Sequence, residues 1–256
     1  MADSNGEFEA SKSEIIKGLF CDSADQNYIV ARWCFQSGLN LDFYWNAVHA
    51  LEKYMKAILL FDGLSVKGNY GHDIFKLFLD VREAHKDLLI VEFSEVYQVK
   101  MEFESCETVE IFVKRMNDYG SADSRYNIFG HLKFSDDLFK LDQLVFCLGK
   151  ILPFEGISRF CKLSKDIRNS AIIHAALNQN FPFAPAEYAH TNFRNSTSSE
   201  NSALFREVSW SDTFGDGSHA VQQRLIDWAL GSMQLPKDAI NWLQDTKLGT
   251  QKGSII

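Results

Sequence analysis

The sequence predicts an all-α protein, an antiparallel helical bundle with additional helices at its carboxyl end. Apolar residues recur at three- and four-residue spacing in several segments, which places them on one face of an α-helix. Almost no segment shows the alternation of apolar and polar residues that is typical of strands. The widest apolar stripe lies in residues 41–63, so we expect this segment to be the most buried helix of the bundle.

The central segment 41–63 carries two rows of apolar residues that share one broad helical face. These rows are Ala47, Ala50, Leu51, Tyr54, Ile58 and Phe61, and Tyr44, Val48, Leu51, Met55 and Leu59. The polar strip that remains consists of His49, Glu52, Lys53 and Lys56. In one interpretation Glu52 and Lys56 form a surface ion pair worth about 0.3–0.5 kcal/mol. In the other, His49, Glu52 and Lys53 face a cleft or a partner subunit and are candidate substrate contacts.

The segments before the central helix predict a tail and a second helix. Residues 1–22 form a polar tail or one short docking helix, whose apolar residues are Ile15, Ile16, Leu19 and Phe20. Asp22 or Ser23 is suited to cap a helix that ends near Gly38. The short connection that follows predicts that this helix packs antiparallel against the central one.

After the central helix, a glycine-containing loop leads to Asp73, which we predict to be the N-cap of the next helix, a role worth about 1 kcal/mol. His72, immediately before it, is a further candidate substrate contact. Residues 92–119 are predicted to be helical, with the helix ending at Gly120. Ser135 is predicted to cap the following helix, which Pro153 ends.

The remaining chain completes the predicted organisation. Another helix is expected over residues 157–177, within a helical domain of residues 23–178. Residues 179–219 are rich in Asn, Ser, Thr and Gly and predict a long polar loop. Residues 220–256 contain two amphipathic patterns, which predict two helices packed on the bundle.

The composition bounds the class of protein. With 256 residues, 46% of them hydrophobic and 23% charged, the chain is expected to be globular. A formal net charge of −8 argues against a general nucleic-acid coat protein, although a local basic pocket is compatible with it. The five cysteines are odd in number and never form a C-x-x-C pair, so we expect neither a disulfide framework nor a zinc site. We also expect no other metal site and no cofactor. The polar amino terminus and the absence of a long apolar run predict a cytoplasmic protein without a membrane segment.

The central helix and the loop after it resemble the HEPN domain. The resemblance rests on A-V-H-A-L-E-K-Y-x-K-A-x-L-L, which begins at Ala47, followed by the run from Gly71 to Ile74, and it covers about residues 24–154. HEPN domains are small all-α bundles, often dimeric. Many are metal-independent RNA endonucleases of bacterial toxin and antiviral systems. Their catalytic signature, an arginine and a histidine separated by four to six residues, is therefore expected here.

Two Arg/His pairs with five intervening residues fit this signature. The preferred pair is Arg168 and His174, in which Asn169 follows the arginine as it commonly does in the family. On an unbroken helix the two residues would be rotated by about 240° and separated by about 9 Å along the axis, so a bend, a long arginine reach or a partner subunit would have to bring them together. The alternative pair is Arg125 and His131, in a glycine-containing loop that can curl freely.

The chemistry of RNA cleavage predicts a dimer. Cleavage without a metal needs a base, an acid and a cation, and one histidine cannot make both proton transfers in one turnover. A two-fold homodimer that joins two Arg/His pairs meets this need. We therefore expect an endoribonuclease of a bacterial defence or toxin system, with RNA as substrate and an antitoxin or other protein as partner. The rival hypothesis is a non-catalytic HEPN-like module that dimerises or binds a ligand or a partner protein.

Overall fold

The computed structural model describes residues 4–93, 107–121, 124, 134–153 and 219–252, and over these residues the protein is all-α, as the sequence predicts. The helices are α1 (Ser4–Ile16), α2 (Asp22–Gln36), α3 (Asn40–Phe61), α4 (Ile74–Ala84), α5 (Val109–Tyr119), α6 (Asp137–Ile151), α7 (His219–Ser232) and α8 (Lys237–Lys252). Within the described ranges, β pairing is limited to one isolated antiparallel bridge between Glu92 and Thr108. None of the described helices is long and apolar enough to span a membrane.

A π-helical turn, Lys17–Cys21, joins α1 to α2 without a break. The predicted cap at Asp22 or Ser23 is therefore wrong, because the chain enters α2 already in helical conformation. The hydroxyl of Ser23 instead donates to the carbonyl of Leu19, at 2.6 Å, on the preceding turn. Ile15 and Ile16 are buried, so they dock this end of α1 against the bundle.

Helices α2 and α3 form the antiparallel hairpin that the sequence predicts. The turn between them contains Gly38 at a φ of 75°, a conformation that glycine adopts without steric cost. Contacts at both ends of the hairpin define its orientation: Tyr54 hydrogen-bonds Asp25, and the rings of Phe35 and Phe43 lie 4.9 Å apart. All predicted core residues of α3 are buried except Phe61, which is half-buried, and α3 contains more buried residues than any other described helix. The predicted central position of this helix is confirmed.

Helices α4 and α5 begin at side-chain caps. Asp73 is the N-cap of α4, as predicted, and its carboxylate accepts a hydrogen bond from the amide of Lys76 at 3.0 Å. Thr108 caps α5 in the same way. The prediction of a helix from residue 92 onward is wrong for the described residues, because Glu92 pairs with Thr108 in the isolated bridge and α5 begins only at Val109.

The carboxyl end of α5 lies directly against α3. Gly120 ends α5, where the sequence predicts the break. A Cβ atom at this position would lie 2.3 Å from Cγ2 of Val48 and 2.8 Å from the carbonyl oxygen of Tyr44. Only glycine therefore permits this approach of the two backbones.

Helix α6 begins at Asp137, and the prediction that Ser135 caps it is wrong. The N-cap position is Asp136, which makes no capping hydrogen bond with its side chain. The Asp137 carboxylate instead accepts hydrogen bonds from Arg115 at 2.7 Å and from the hydroxyl of Tyr44 at 2.7 Å. This end of α6 is thus held by α5 and α3.

Three charged residues of α6, Asp137, Lys140 and Asp142, are buried and paired with residues of other elements. The guanidinium of Arg115 binds both oxygens of Glu107, at 2.8 and 2.9 Å, and Lys140 binds the same carboxylate at 2.7 Å. Farther along α6, Asp142 pairs with Arg32 and accepts a hydrogen bond from the hydroxyl of Tyr28. Buried charges are tolerated only when they are paired, and these pairs satisfy that condition.

The two predicted carboxyl-terminal helices are α7 and α8. Helix α7 packs against α1 and α8, and the loop after α3 joins it through main-chain and side-chain hydrogen bonds. The amide of Val66 donates to the carbonyl of Ser232 at 2.9 Å, and Lys67 donates to the carbonyl of Leu230 at 2.6 Å. The helix predicted over residues 157–177 and the loop predicted over 179–219 lie outside the described residues.

Candidate functional site at the histidine cluster of α3

The structure brings the four predicted substrate contacts together. His49, Glu52 and Lys53 lie on one face of α3 because they are three and four residues apart. His72 lies in the loop before α4, with its Nδ1 atom 3.2 Å from Oε2 of Glu52. The rings of His49 and His72 are stacked, with centroids 6.3 Å apart and planes at 29°. We call His49, Glu52, Lys53, Lys56 and His72 the histidine cluster.

Glu52 and Lys56 anchor the cluster. Lys56 donates to Oε1 of Glu52 at 2.6 Å and to the carbonyl of Gly71 at 3.0 Å. The predicted ion pair is thus present, but its predicted surface position is wrong: Glu52 is 6% and Lys56 8% exposed. The pair is buried because the loop that carries His72 lies over it, as the hydrogen bond from Lys56 to the Gly71 carbonyl shows. The pair therefore holds this loop, and with it His72, against α3.

His49 is positioned by Trp45, one turn earlier. Its Nδ1 atom lies 2.8 Å from the carbonyl oxygen of Trp45, and its ring packs on the indole at a centroid distance of 4.2 Å. A carbonyl oxygen only accepts, so Nδ1 carries the proton of the neutral ring and Nε2 has the lone pair. Burial lowers the pKa of His49 below its ordinary 6.5, an effect that the Trp45 carbonyl and Glu52 partly oppose. His49 is therefore a neutral base near pH 7.

Lys53 lies beside His49 and is held by Asn27 of α2. Its ammonium donates to Oδ1 of Asn27 at 2.6 Å, and Asn27 in turn donates to Oδ1 of Asn46 at 3.0 Å. Burial lowers the pKa of Lys53, and the carboxylate of Glu52 opposes this effect. Asn27 could not be identified from the sequence, because a polar residue on α2 has the same pattern as any solvent-facing position.

His72 is the most accessible member of the cluster, with a side chain that is 85% exposed. A carboxylate only accepts hydrogen bonds, so Nδ1 of His72 carries the proton that is donated to Glu52. Both imidazoles are therefore anchored through Nδ1. In the part of the chain that the structure describes, neither Nε2 atom makes a hydrogen bond.

The cluster combines two imidazoles with the ammonium groups of Lys53 and Lys56, a set of side chains that suits reactions of phosphate esters. Among the described residues, no group of three or more His, Cys, Asp or Glu side chains is arranged to hold a metal ion. A cavity of about 150 Å³ lies elsewhere, between α7, α8 and Lys67, and its lining is mainly apolar.

The predicted catalytic residues lie outside the described residues. This applies to Arg168, Asn169 and His174 and equally to the alternative pair, Arg125 and His131. Both Arg/His pairs stay predictions from the sequence. Comparison of the chain with known proteins found no matching family model, no matching curated protein and no matching solved structure.

Proposed function

We propose that this chain is an HEPN-like, metal-independent RNA endonuclease of a bacterial defence or toxin system, and that its RNA substrate binds at the histidine cluster. The observation that carries the proposal is the convergence of His49, Lys53 and His72 beside one partly exposed surface. Imidazole and ammonium groups are the acid–base and charge-stabilising groups that cleavage without a metal requires. The all-α hairpin of α2 and α3 is compatible with the resemblance noted in the sequence.

In this proposal the resemblance assigns the catalytic arginine and histidine to Arg168 and His174, with Arg125 and His131 as the alternative. Two copies of the chain would form a homodimer in which each copy supplies one Arg/His pair. The histidine cluster would contact the substrate next to the reacting phosphate.

A second candidate function is a non-catalytic HEPN-like module that binds a ligand or partner. The observation that favours it is the way Glu52 is used: Lys56 and His72 engage its two carboxylate oxygens. Part of the cluster therefore holds the loop before α4, a structural task that needs no substrate.

Incubation of the purified protein with total RNA in EDTA separates the two functions. The endonuclease should cleave RNA under these conditions, and His174→Ala or His131→Ala should abolish cleavage, depending on which pair is used. Lys53→Met should weaken RNA binding. The matched control is Lys86→Met, which removes an exposed lysine paired with Glu83 elsewhere on the surface. A wild-type protein that binds RNA or a partner but never cleaves would instead establish the module.

A further inference from the structure

The cavity of about 150 Å³ between α7, α8 and the loop after α3 combines an apolar surface with polar side chains. The described residues that line it are Leu230, Met233, Leu235 and Ile240, together with Lys67, Gln234 and Gln244. No member of the histidine cluster is among them, so the cavity is separate from the candidate site described above.

The apolar and polar side chains of the cavity differ in their exposure to solvent. Met233 is buried, and the other three apolar side chains are half-buried, so they form the floor of the cavity. Lys67, Gln234 and Gln244 are exposed and form its rim. This arrangement suits a ligand that has an apolar body and one polar group, because the body is removed from water while the polar group stays at the rim.

The rim offers hydrogen-bond donors that the fold does not use. The Lys67 ammonium has three donors and gives one of them to the Leu230 carbonyl, at 2.6 Å. Oε1 of Gln234 accepts from the amide of Gly68 at 3.1 Å, so the two donors on Nε2 of Gln234 are left over. Within the described part of the chain, the Lys67 ammonium and this amide nitrogen make no other hydrogen bond. A ligand that fits the rim is therefore an acceptor.

We infer that this cavity is a binding site for a small monocarboxylic acid, whose apolar body lies on the floor and whose carboxylate is held by Lys67 at the rim. Lys67 is the one charged residue among the described lining residues, so the cavity favours a single negative charge. A carboxylate accepts hydrogen bonds from ammonium and amide groups alike. The inference is independent of the proposed function, because it needs neither RNA nor an Arg/His pair.

The volume of the cavity limits the size of the acid. An apolar cavity of about 150 Å³ in another protein holds one benzene ring. The apolar body of the ligand is therefore expected to contain about six carbon atoms. Benzoate and hexanoate both meet this limit and differ in shape, which makes them suitable probes.

The wall that carries Lys67 is already fixed in place. The amide of Val66 donates to the carbonyl of Ser232 at 2.9 Å, and the hydroxyl of Ser65 donates to the carbonyl of Gly231 at 3.2 Å. With the bonds made by Lys67 and Gly68, four consecutive residues of the loop are tied to the end of α7 and the residue Gln234 beyond it. A ligand would therefore not have to order this loop, a cost that otherwise lowers affinity.

Isothermal titration calorimetry of the full chain with benzoate and with hexanoate tests the inference. We expect at least one of the two acids to bind at a single site with a Kd of about 1 mM or below. Benzyl alcohol is the uncharged reference ligand. Lys67→Met should weaken binding of the acid by about 3- to 10-fold, the range for a charge-assisted hydrogen bond at an exposed position, and leave binding of benzyl alcohol unchanged. Lys67→Arg should keep the affinity for the acid, because it keeps the charge.

Two further variants locate the binding site. Ile240→Trp places a larger side chain in the cavity and should abolish binding of the acid and of benzyl alcohol. The control is Lys86→Met, which removes an exposed lysine paired with Glu83 elsewhere and should bind as wild type does. Circular dichroism melting shows whether each variant is folded. The Lys67 variants decide the outcome if Ile240→Trp does not fold.

Three results would overturn the inference. The first is the absence of saturable binding of either acid at concentrations up to about 10 mM, ten times the expected Kd. The second is equal affinity of wild type and Lys67→Met for the acid. The third is unchanged binding to a folded Ile240→Trp protein. None of these results bears on RNA cleavage, so the inference and the proposed function can fail separately.

Discussion

Replacement of Gly120 by alanine tests the contact between the end of α5 and α3. The new Cβ would lie 2.3 and 2.7 Å from Cγ2 and Cβ of Val48 and 2.8 Å from the carbonyl oxygen of Tyr44. Carbon atoms in contact are normally about 3.5–4.0 Å apart, so the helices would have to separate by about 1 Å. The Tyr44 carbonyl belongs to the backbone of the central helix, so a change of rotamer cannot relieve the clash.

We expect Gly120→Ala to lower the free energy of unfolding by about 3 kcal/mol, the upper part of the usual range for an added methyl group in a packed core. For a chain of this size, this corresponds to a decrease in Tm of about 6–12 °C. Urea titration followed by circular dichroism measures the change.

Gly231→Ala is the matched control. Gly231 lies in α7, and a Cβ atom there would meet no atom within 4 Å. Alanine is the better helix former, so this variant should gain up to about 1 kcal/mol. If Gly120→Ala stays within about 0.5 kcal/mol of wild type, which is the range of ordinary surface substitutions, the close approach of α5 to α3 is refuted.

Three further predictions concern the ionisable groups. Arg115→Met leaves the carboxylates of Asp137 and Glu107 buried without their guanidinium, so urea titration should show a loss of about 3–5 kcal/mol. Burial alone would raise the pKa of Glu107, but hydrogen bonds from Arg115 and a neighbouring lysine lower it below its ordinary 4.5. The ionised Glu107 carboxylate therefore stabilises the folded protein at pH values above its unfolded pKa of 4.5, and this stabilisation is lost as the pH falls through the lower pKa of the folded state. The urea denaturation midpoint of wild type should therefore fall more steeply with decreasing pH than that of Glu107→Gln. His49 should titrate below 6.5 by NMR, and Glu52→Gln should lower its pKa further, because the Glu52 carboxylate raises it.

Each of these predictions has a result that contradicts it. An Arg115→Met protein as stable as wild type would mean that its buried partners find other cations. Parallel acid transitions in wild type and Glu107→Gln would show that this carboxylate has the same pKa in the folded and unfolded chain. A His49 resonance that titrates at or above 6.5 would show that burial does not control its protonation.

The elements that follow from local sequence could be predicted. The spacing of apolar residues identifies α3, Asp73 identifies the start of α4, and Gly38 identifies the turn of the hairpin. Each depends on residues within one or two turns of one another. By contrast, the π-helical turn Lys17–Cys21 has no residue signature in the sequence, so an uninterrupted helix before Asp22 could not be predicted.

The candidate site could be predicted in part for the same reason. His49, Glu52 and Lys53 share one helical face, which periodicity reveals. That Asn27 holds Lys53 depends on pairing across the hairpin, 26 residues apart in sequence. The burial of Lys56 likewise depends on the loop around Gly71 folding over it, and no periodicity within α3 contains that information.

The paired charges of α6 determine how this helix assembles with the rest of the chain. A purely apolar face could shift by one turn, about 5.4 Å, and still bury its side chains. In α6 such a shift would separate Asp137 from Arg115 and Asp142 from Arg32 at the same time, leaving buried charges without partners. We therefore expect α6 to pack in a single register, the one in which α2 and α5 present their arginines to its carboxylates. In a domain-swapped oligomer, an exchanged α6 would have to meet the same two arginines of its new host.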